Sequence, residues 1–397
     1  MDLTSIPLYD HHAHALFREA VWRSAPLEPY FSEASDPELL ARFGHDNLHF
    51  RRGLRDLAGF YGCAPTVDAV LDARQRADYP NLVQRMFAEA RIGHWLVDDG
   101  LWVDELLSAA DCAAMVPGVP VRRIVRLEVE LAGMVEQHDR AASLLAAFAE
   151  RLQGLAPRVA AFKSIAAYRT GLEIGQPASA EVEHAFSAVR RAVVPGQPPR
   201  LAAKPLIDAM LWAALPVAAA SRMPVQFHTG FGDPDLDLRQ ANPLHLRPLF
   251  EATALRGLCV VCLHCYPYVR EAGYLASVYP GAYVDLGLTV PYASVHAMRT
   301  ATRPCTWRPS PRCCSRPTRS ARPRRSGWPR AGAGGCSGRS SRPPWVTVIC
   351  RPTTRSGRPR ASSSTTPPSC TGPVRRIECR STRPLIRRPT RKTGGVE

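Results

Sequence analysis

Tyr9-Asp10-His11-His12-Ala13-His14-Ala15 closes a short apolar run, Ile6-Pro7-Leu8-Tyr9, that reads as a first β-strand. Side chains two apart on a strand point the same way, so His12 and His14 project together from its end. Neutral imidazole is a common ligand for divalent zinc, nickel or iron, and two at this spacing can share one ion. His-x-His alone does not separate a metal site from a chance histidine cluster. The reading turns on whether further ligands stand at later strand ends.

Between Phe17 and Ala90 the sequence shows helical periodicity, interrupted at Pro26-Leu27-Glu28-Pro29. That is too long for an ordinary strand-to-helix connection, so residues 17–90 are expected to form a helical insertion. A regular alternation follows. Strands are expected over Ile92–Val97, Val121–Glu128, Val159–Ile165, Met223–His228, Leu258–His264 and Ala282–Leu288. Helices are expected over Val135–Leu155, Ala180–Val193 and Pro205–Ser221. Alternation of this kind indicates a parallel sheet in an α/β fold. With an eighth strand, described below, it becomes a TIM-like (β/α)8 barrel, whose chemistry sits where strands end. A doubly wound open sheet is disfavoured, because no glycine-rich phosphate fingerprint follows the first strand.

The polar residues do gather at strand ends: His12, His14, Lys163, His228 and His264. Three or four imidazoles with a carboxylate suit a divalent metal, zinc foremost, that keeps one position open for water. Such an ion acidifies its water and polarises the bond under attack. A nearby Asp can take the proton and return it to the leaving group. The chemistry expected is metal-assisted hydrolysis. Arg126, Glu128, Tyr168 and Arg169 lie at or just past strand ends as candidate substrate contacts. A bidentate Arg suits a substrate carboxylate, and salt bridges within the barrel mouth explain the same residues equally well. Lys163 is a catalytic candidate, or a further partner for a substrate carboxylate. His11 and His94 read as supporting residues, His45 and His49 as surface residues, and His138, His184, His245 and His296 as surface or loop residues. Asp233 and Asp235 either shape the site or solvate a turn.

Four strings together resemble the amidohydrolase superfamily, and within it the amidohydrolase-2-type domain: FKSIAAYRTGL from Phe162, QFHTGFGDPD from Gln226, LHCYPYVREAGYLASVYP from Leu263 and VDLGL from Val284. Similar domains are fused to a glutamine-synthetase-like domain in fungal sporulation-signal proteins. The resemblance implies that His12, His14, His228 and His264 are metal-site residues, with an essential Asp on the eighth strand. In binuclear relatives a carbamylated strand-four lysine, here Lys163, bridges two metals; mononuclear relatives do without it. The activity implied is hydrolysis of a C–N, amide-type bond in a small, carboxylate-bearing substrate. Decarboxylation on the same scaffold is the alternative.

The net charge of +16 is unevenly held. Residues 301–397 carry 22 Arg and one Lys against two Glu, a net +21 that leaves −5 for residues 1–300. The tail also holds seven of the 12 Cys and 15 of the 37 Pro. Residues 1–300 therefore read as the barrel domain and 301–397 as a disordered tail. One reading of such a tail is a basic arm that binds nucleic acid. It lacks the Lys-Arg mixture and interleaved aromatics of such arms, so no nucleic-acid partner is expected. The other reading is a frame shift in a G+C-rich gene, entering near residues 300–305. Back-translated and read two bases later with free codon choice, Cys314–Ser341 can encode Phe-Ser-Thr-Asp followed by an amphipathic helix. Ala361–Pro373 can likewise encode a closing helix. On this reading the chain has lost its eighth strand and the Asp opposite Pro317-Thr318, which leaves an unpaired edge and an impaired site. No signal peptide or membrane-spanning stretch is evident, and the scattered Cys suit a reducing cytosol. A cytoplasmic enzyme with a small-molecule substrate, no membrane partner and a possible homo-oligomeric state is expected.

Resequencing the gene across codons 290–330 should reveal one missing or extra base. The corrected chain should then turn over substrate at an enzyme-like rate while the present chain does not; an unaltered gene whose product is fully active would refute the frame shift.

Overall fold

The computed structural model describes residues 7–101, 104–288 and Tyr292. All fall in the first of two units, Met1–Pro352; the second, Thr353–Glu397, lies wholly outside the described residues. Seven strands are present among the described residues: β1 (Leu8–His14), β2 (Ile92–Asp98), β3 (Val121–Arg126), β4 (Ala161–Ser164), β5 (Pro224–Thr229), β6 (Cys259–His264) and β7 (Ala282–Val284). They pair in parallel and in sequence order, each with the next.

The sheet is curled into a half-barrel. In a flat sheet β1 and β5 would stand about 19 Å apart, four strand spacings of about 4.8 Å. Instead the His12 ring of β1 meets the Gln226 amide of β5 at 2.8 Å and the Lys163 ammonium of β4 at 3.2 Å. Curling of this extent is what a TIM-like barrel requires. The strands are rich in buried apolar residues because both faces are covered. Val97, Ile124, Val125, Phe162, Val225, Phe227, Val260 and Leu263 are all fully buried, those on the outer face against a layer of helices. Phe148 and Leu152 of the helix Ala141–Leu155, Phe186 of Ser179–Arg191 and Met210, Leu211 and Ala214 of Lys204–Ala220 supply much of that layer.

Between β1 and β2 the expected helical insertion is present, with helices over Glu19–Ser24, Pro37–Phe43, Leu48–Tyr61, Val67–Arg76 and Tyr79–Ala90. Asp36, Asn47, Thr66 and Asp78 cap four of them by accepting a backbone N–H in the first turn. The insertion has a small core of its own around Leu27, Phe50, Ala58 and Val70. Several boundaries differ from the sequence reading. β1 does not stop at Tyr9: pairing with β2 continues through Ala13 and His14, so the histidines are part of the strand. β3 stops at Arg126, and Glu128 falls in a short helix, Leu127–Ala132. The helix expected from Val135 starts at Ala141, after a separate short turn, Val135–Gln137. The expected eighth strand and basic tail lie outside the described residues, as does His296. Among the described residues no helix is long and apolar enough to cross a membrane.

At the end of β5 the chain turns through Gly230 with φ +76°, and a Cβ there would lie 2.2 Å from the Tyr266 carbonyl oxygen. Only glycine accepts both the left-handed backbone and the contact. Gly230→Ala should cost about 2 kcal/mol or more, read as a lowered denaturant midpoint at unchanged slope.

Candidate active site

Every strand from β1 to β6 delivers a polar side chain to the same end of the half-barrel, with Asp285 following directly after β7. The most buried element is a charge knot. Asp98, the last residue of β2, is fully buried and accepts from Arg126 of β3 at 2.6 Å; Lys163 of β4 lies at 3.0 Å from the same oxygen. Burial alone would raise the Asp98 pKa; the Lys163 and Arg126 charges outweigh it and hold the carboxyl well below the usual range. Burial lowers Lys163 to about 8, with Asp98 acting in the opposite direction.

The histidines converge beside this knot. Ring centroids lie 5.6 Å apart for His12 and His14, 5.6 Å for His12 and His264, and 4.9 Å for His228 and His264. Burial, reinforced by neighbouring positive charge, puts His12 and His228 well below the ordinary imidazole pKa. Burial likewise lowers His264, to about 4, with Asp285 pulling the other way. These three are neutral at physiological pH. His14 stands at the rim, 41% exposed, 3.7 Å from Asp98. The Gln226 amide donates to the His11 carbonyl at 2.7 Å, which turns its own oxygen toward His12 Nδ1 at 2.8 Å. The network therefore puts the His12 hydrogen on Nδ1 and leaves Nε2 open as a donor atom.

The carboxylate that follows β7 keeps the His264 backbone in place. His264 and Cys265 both have left-handed backbones, φ +67° and +63°, a strained pair for residues with side chains. Asp285 holds the turn: it accepts from the His264 N–H at 3.2 Å and the Gly287 N–H at 3.0 Å, and meets His11 Nε2 at 3.2 Å. Burial would raise the Asp285 pKa, but the His11 hydrogen bond and charge bring it down.

This donor chemistry fits a divalent cation, since neutral imidazoles with an outer amide fixing the tautomer are what such an ion needs. Among the described residues, however, no three His, Cys, Asp or Glu side chains are already drawn together as a coordination set. His12 Nε2 meets the Lys163 ammonium instead.

The structure brings together His12, His14, Lys163, His228 and His264. It places Arg126 in the Asp98 ion pair, the salt-bridge alternative read from the sequence. Tyr168 lies against His228 with centroids 4.4 Å apart, and Arg169 follows it in the short helix Ala166–Arg169. Glu128 accepts from Ser164 Oγ at 2.7 Å and from Ile165 N at 2.9 Å. Of the supporting histidines, His11 joins Asp285 and His94 stacks on Tyr9. His45 pairs with Glu28, and His49 packs between Phe31 and Tyr292. Asp235 pairs with Arg200. The sequence reading passed over Asp98, Gln226 and Asp285. Asp98 and Asp285 end apolar strand runs, and Gln226 is two residues from His228 on the same face, so strand-end position was the available signal.

A family model described as amidohydrolase matches residues 117–313. Protein fluG of Emericella nidulans is 30% identical over 331 residues, spanning 75% of this chain and 38% of that protein. The chain thus covers well under half of that curated relative. A solved Lactobacillus casei protein, described as a metal-dependent hydrolase, is 33% identical, with a TM-score of 0.68 over 78% of this chain and 81% of its own. A uronate isomerase from Thermotoga maritima aligns at 11% identity and a TM-score of 0.41, too loose a match to bear on the chemistry. The chain belongs to the amidohydrolase superfamily.

Asp98→Asn should destabilise the protein by about 3–5 kcal/mol, because Lys163 and Arg126 would remain buried without their counter-charge. The histidines give a second expectation. His12, His228 and His264 titrate below the unfolded value of about 6.5, so the unfolded chain binds more protons in that interval. Stability of the metal-free protein should fall as pH drops from about 6.5 toward about 4, and His228→Phe should shallow the slope of denaturation midpoint against pH.

Proposed function

We propose that this chain is a metal-dependent hydrolase of C–N, amide-type bonds in a small acid. The observation that carries the reading is the meeting of His12 and His14 from β1, His228 from β5 and His264 from β6, in ring contacts of 4.9 to 5.6 Å. These four would hold a divalent ion, with zinc suited to imidazole donors and an open position. When bound, the ion supplies a water acidified toward neutrality and a polarised scissile carbonyl. The Lactobacillus casei protein's description as a metal-dependent hydrolase supports the same reading.

The chain's own residues have definite parts in it. Gln226 orients His12. Asp98 offsets one of the two charges of Lys163 and Arg126, which makes the mouth less positive toward a cation. Lys163 Nζ, beside His12, can donate to a substrate oxygen, and its pKa of about 8 keeps some of the amine neutral and open to carbamylation as in binuclear relatives. With Arg126 taken by Asp98, the substrate carboxylate falls to Arg169, and Tyr168 walls the pocket against His228. The proton-transfer Asp expected on the eighth strand has no counterpart in this chain, whose sequence holds no Asp after Asp285. A small-molecule substrate, with no nucleic-acid or membrane partner, goes with this reading.

Metal content and turnover, measured on this chain and its frame-corrected counterpart, test the assignment. The corrected chain should carry divalent metal, hydrolyse amides, lose that activity with a chelator and regain it with zinc. His228→Ala should lower its turnover by about a hundredfold or more. Release of carbon dioxide from aromatic acids without amide hydrolysis would overturn the reading in favour of a lyase.

A further inference from the structure

Three buried polar atoms have no hydrogen-bond partner among the described residues: Glu128 Oε2, Arg169 Nε and Thr170 Oγ1. All three belong to the segments leaving the ends of β3 and β4. Native proteins leave few buried polar atoms unpaired, since each costs about 1–3 kcal/mol. Three of them on the segments that carry Glu128 and Tyr168-Arg169 suit a partner that arrives from outside.

Glu128 is 3% exposed. Its Oε1 is saturated by Ser164 Oγ and Ile165 N, whereas Oε2 receives no hydrogen bond from the described residues. Burial raises the pKa of this carboxyl, with the Ser164 hydroxyl and backbone N–H groups opposing it. A cationic donor at Oε2 would hold it ionised. Arg169 is the complement. It is half-buried and makes no hydrogen bond or ion pair among the described residues, although its Nε is enclosed. The neighbouring Arg200 already has Asp235 at 2.9 Å, so Arg169 is the guanidinium in this wall left to bind an anion. The two groups lie on adjoining segments, since Ile165, which donates to Glu128, opens the turn that ends at Arg169. Yet they form no ion pair with each other. Tyr168, next to Arg169, touches the His228 ring, so this wall borders the histidine cluster.

We infer that Glu128 and Arg169 form a zwitterion clamp: Glu128 Oε2 accepts a substrate α-ammonium, and the Arg169 guanidinium takes the α-carboxylate in a bidentate pair. The ligand class is a free α-amino acid. Combined with the proposed C–N hydrolysis, on which this last step rests, the clamp leaves both α-groups occupied and places the scissile amide on the side chain.

Isothermal titration calorimetry on the full chain tests the clamp without requiring turnover. The probes are L-asparagine and L-glutamine, their N-acetyl derivatives, which lack the ammonium, and their α-methyl esters, which lack the carboxylate. At least one amino acid should bind, with each of its blocked forms weaker by tenfold or more. Glu128→Gln keeps the Oε1 acceptor for Ser164 and Ile165; it should abolish discrimination against the N-acetyl form and retain discrimination against the ester. Arg169→Met should do the reverse. No binding by either amino acid, equal binding of free and blocked forms, or identical loss in both variants would overturn the clamp. Failure of amide hydrolysis with these binding preferences intact would instead remove only the hydrolase reading.

Discussion

Two buried cations at the mouth of a parallel half-barrel set the terms for everything around them. Lys163 and Arg126 end adjacent strands, and each would be prohibitively costly to bury alone. Asp98 resolves this by lying within 3.0 Å of both. The arrangement joins β2, β3 and β4 at their ends, where backbone pairing is running out, and it offsets part of the positive charge that an incoming metal ion would meet. Remove the carboxylate and the same positions would repel both each other and any incoming metal ion.

On the other side of the mouth the constraint is backbone strain. His264 and Cys265 occupy left-handed conformations in succession, and Asp285 accepts the His264 N–H to hold them. A strained histidine is a fixed histidine, which is what a binding site requires of its ligating atoms. His11 ties the first strand to the same carboxylate, at 3.2 Å. One acid thus organises the β2–β4 side of the site and another the β6–β7 side, with β1 in contact with both. These unlike strand ends become one surface because the sheet curls between them.

Much of this architecture is legible along the chain. The strand order follows from apolar runs alternating with helical periods, and the helical insertion from its length and helical periodicity. His12, His14, His228 and His264 stand out because histidine recurs at the ends of separate strands. The boundaries were harder to read. Pairing carried β1 on to His14, since hydrogen bonding to β2 overrides the polar composition of Asp10-His11-His12. Glu128 looked like strand and is helix, because a short helix starts as soon as β3 loses its partner.

The sequence by itself determined the periodicity, the parallel α/β class, the placement of the histidines and the sharp change of composition near residue 300. Those depend on residue type and spacing, which are local. Only the tertiary structure decided that Arg126 is spent on Asp98 while Arg169 has no partner among the described residues, and that Gln226 sets the His12 tautomer. Each of these is a contact between residues distant in the chain, 28 positions for Arg126 and Asp98 and 214 for His12 and Gln226. Such pairings exist only once the sheet has curled and brought its strand ends within hydrogen-bond reach.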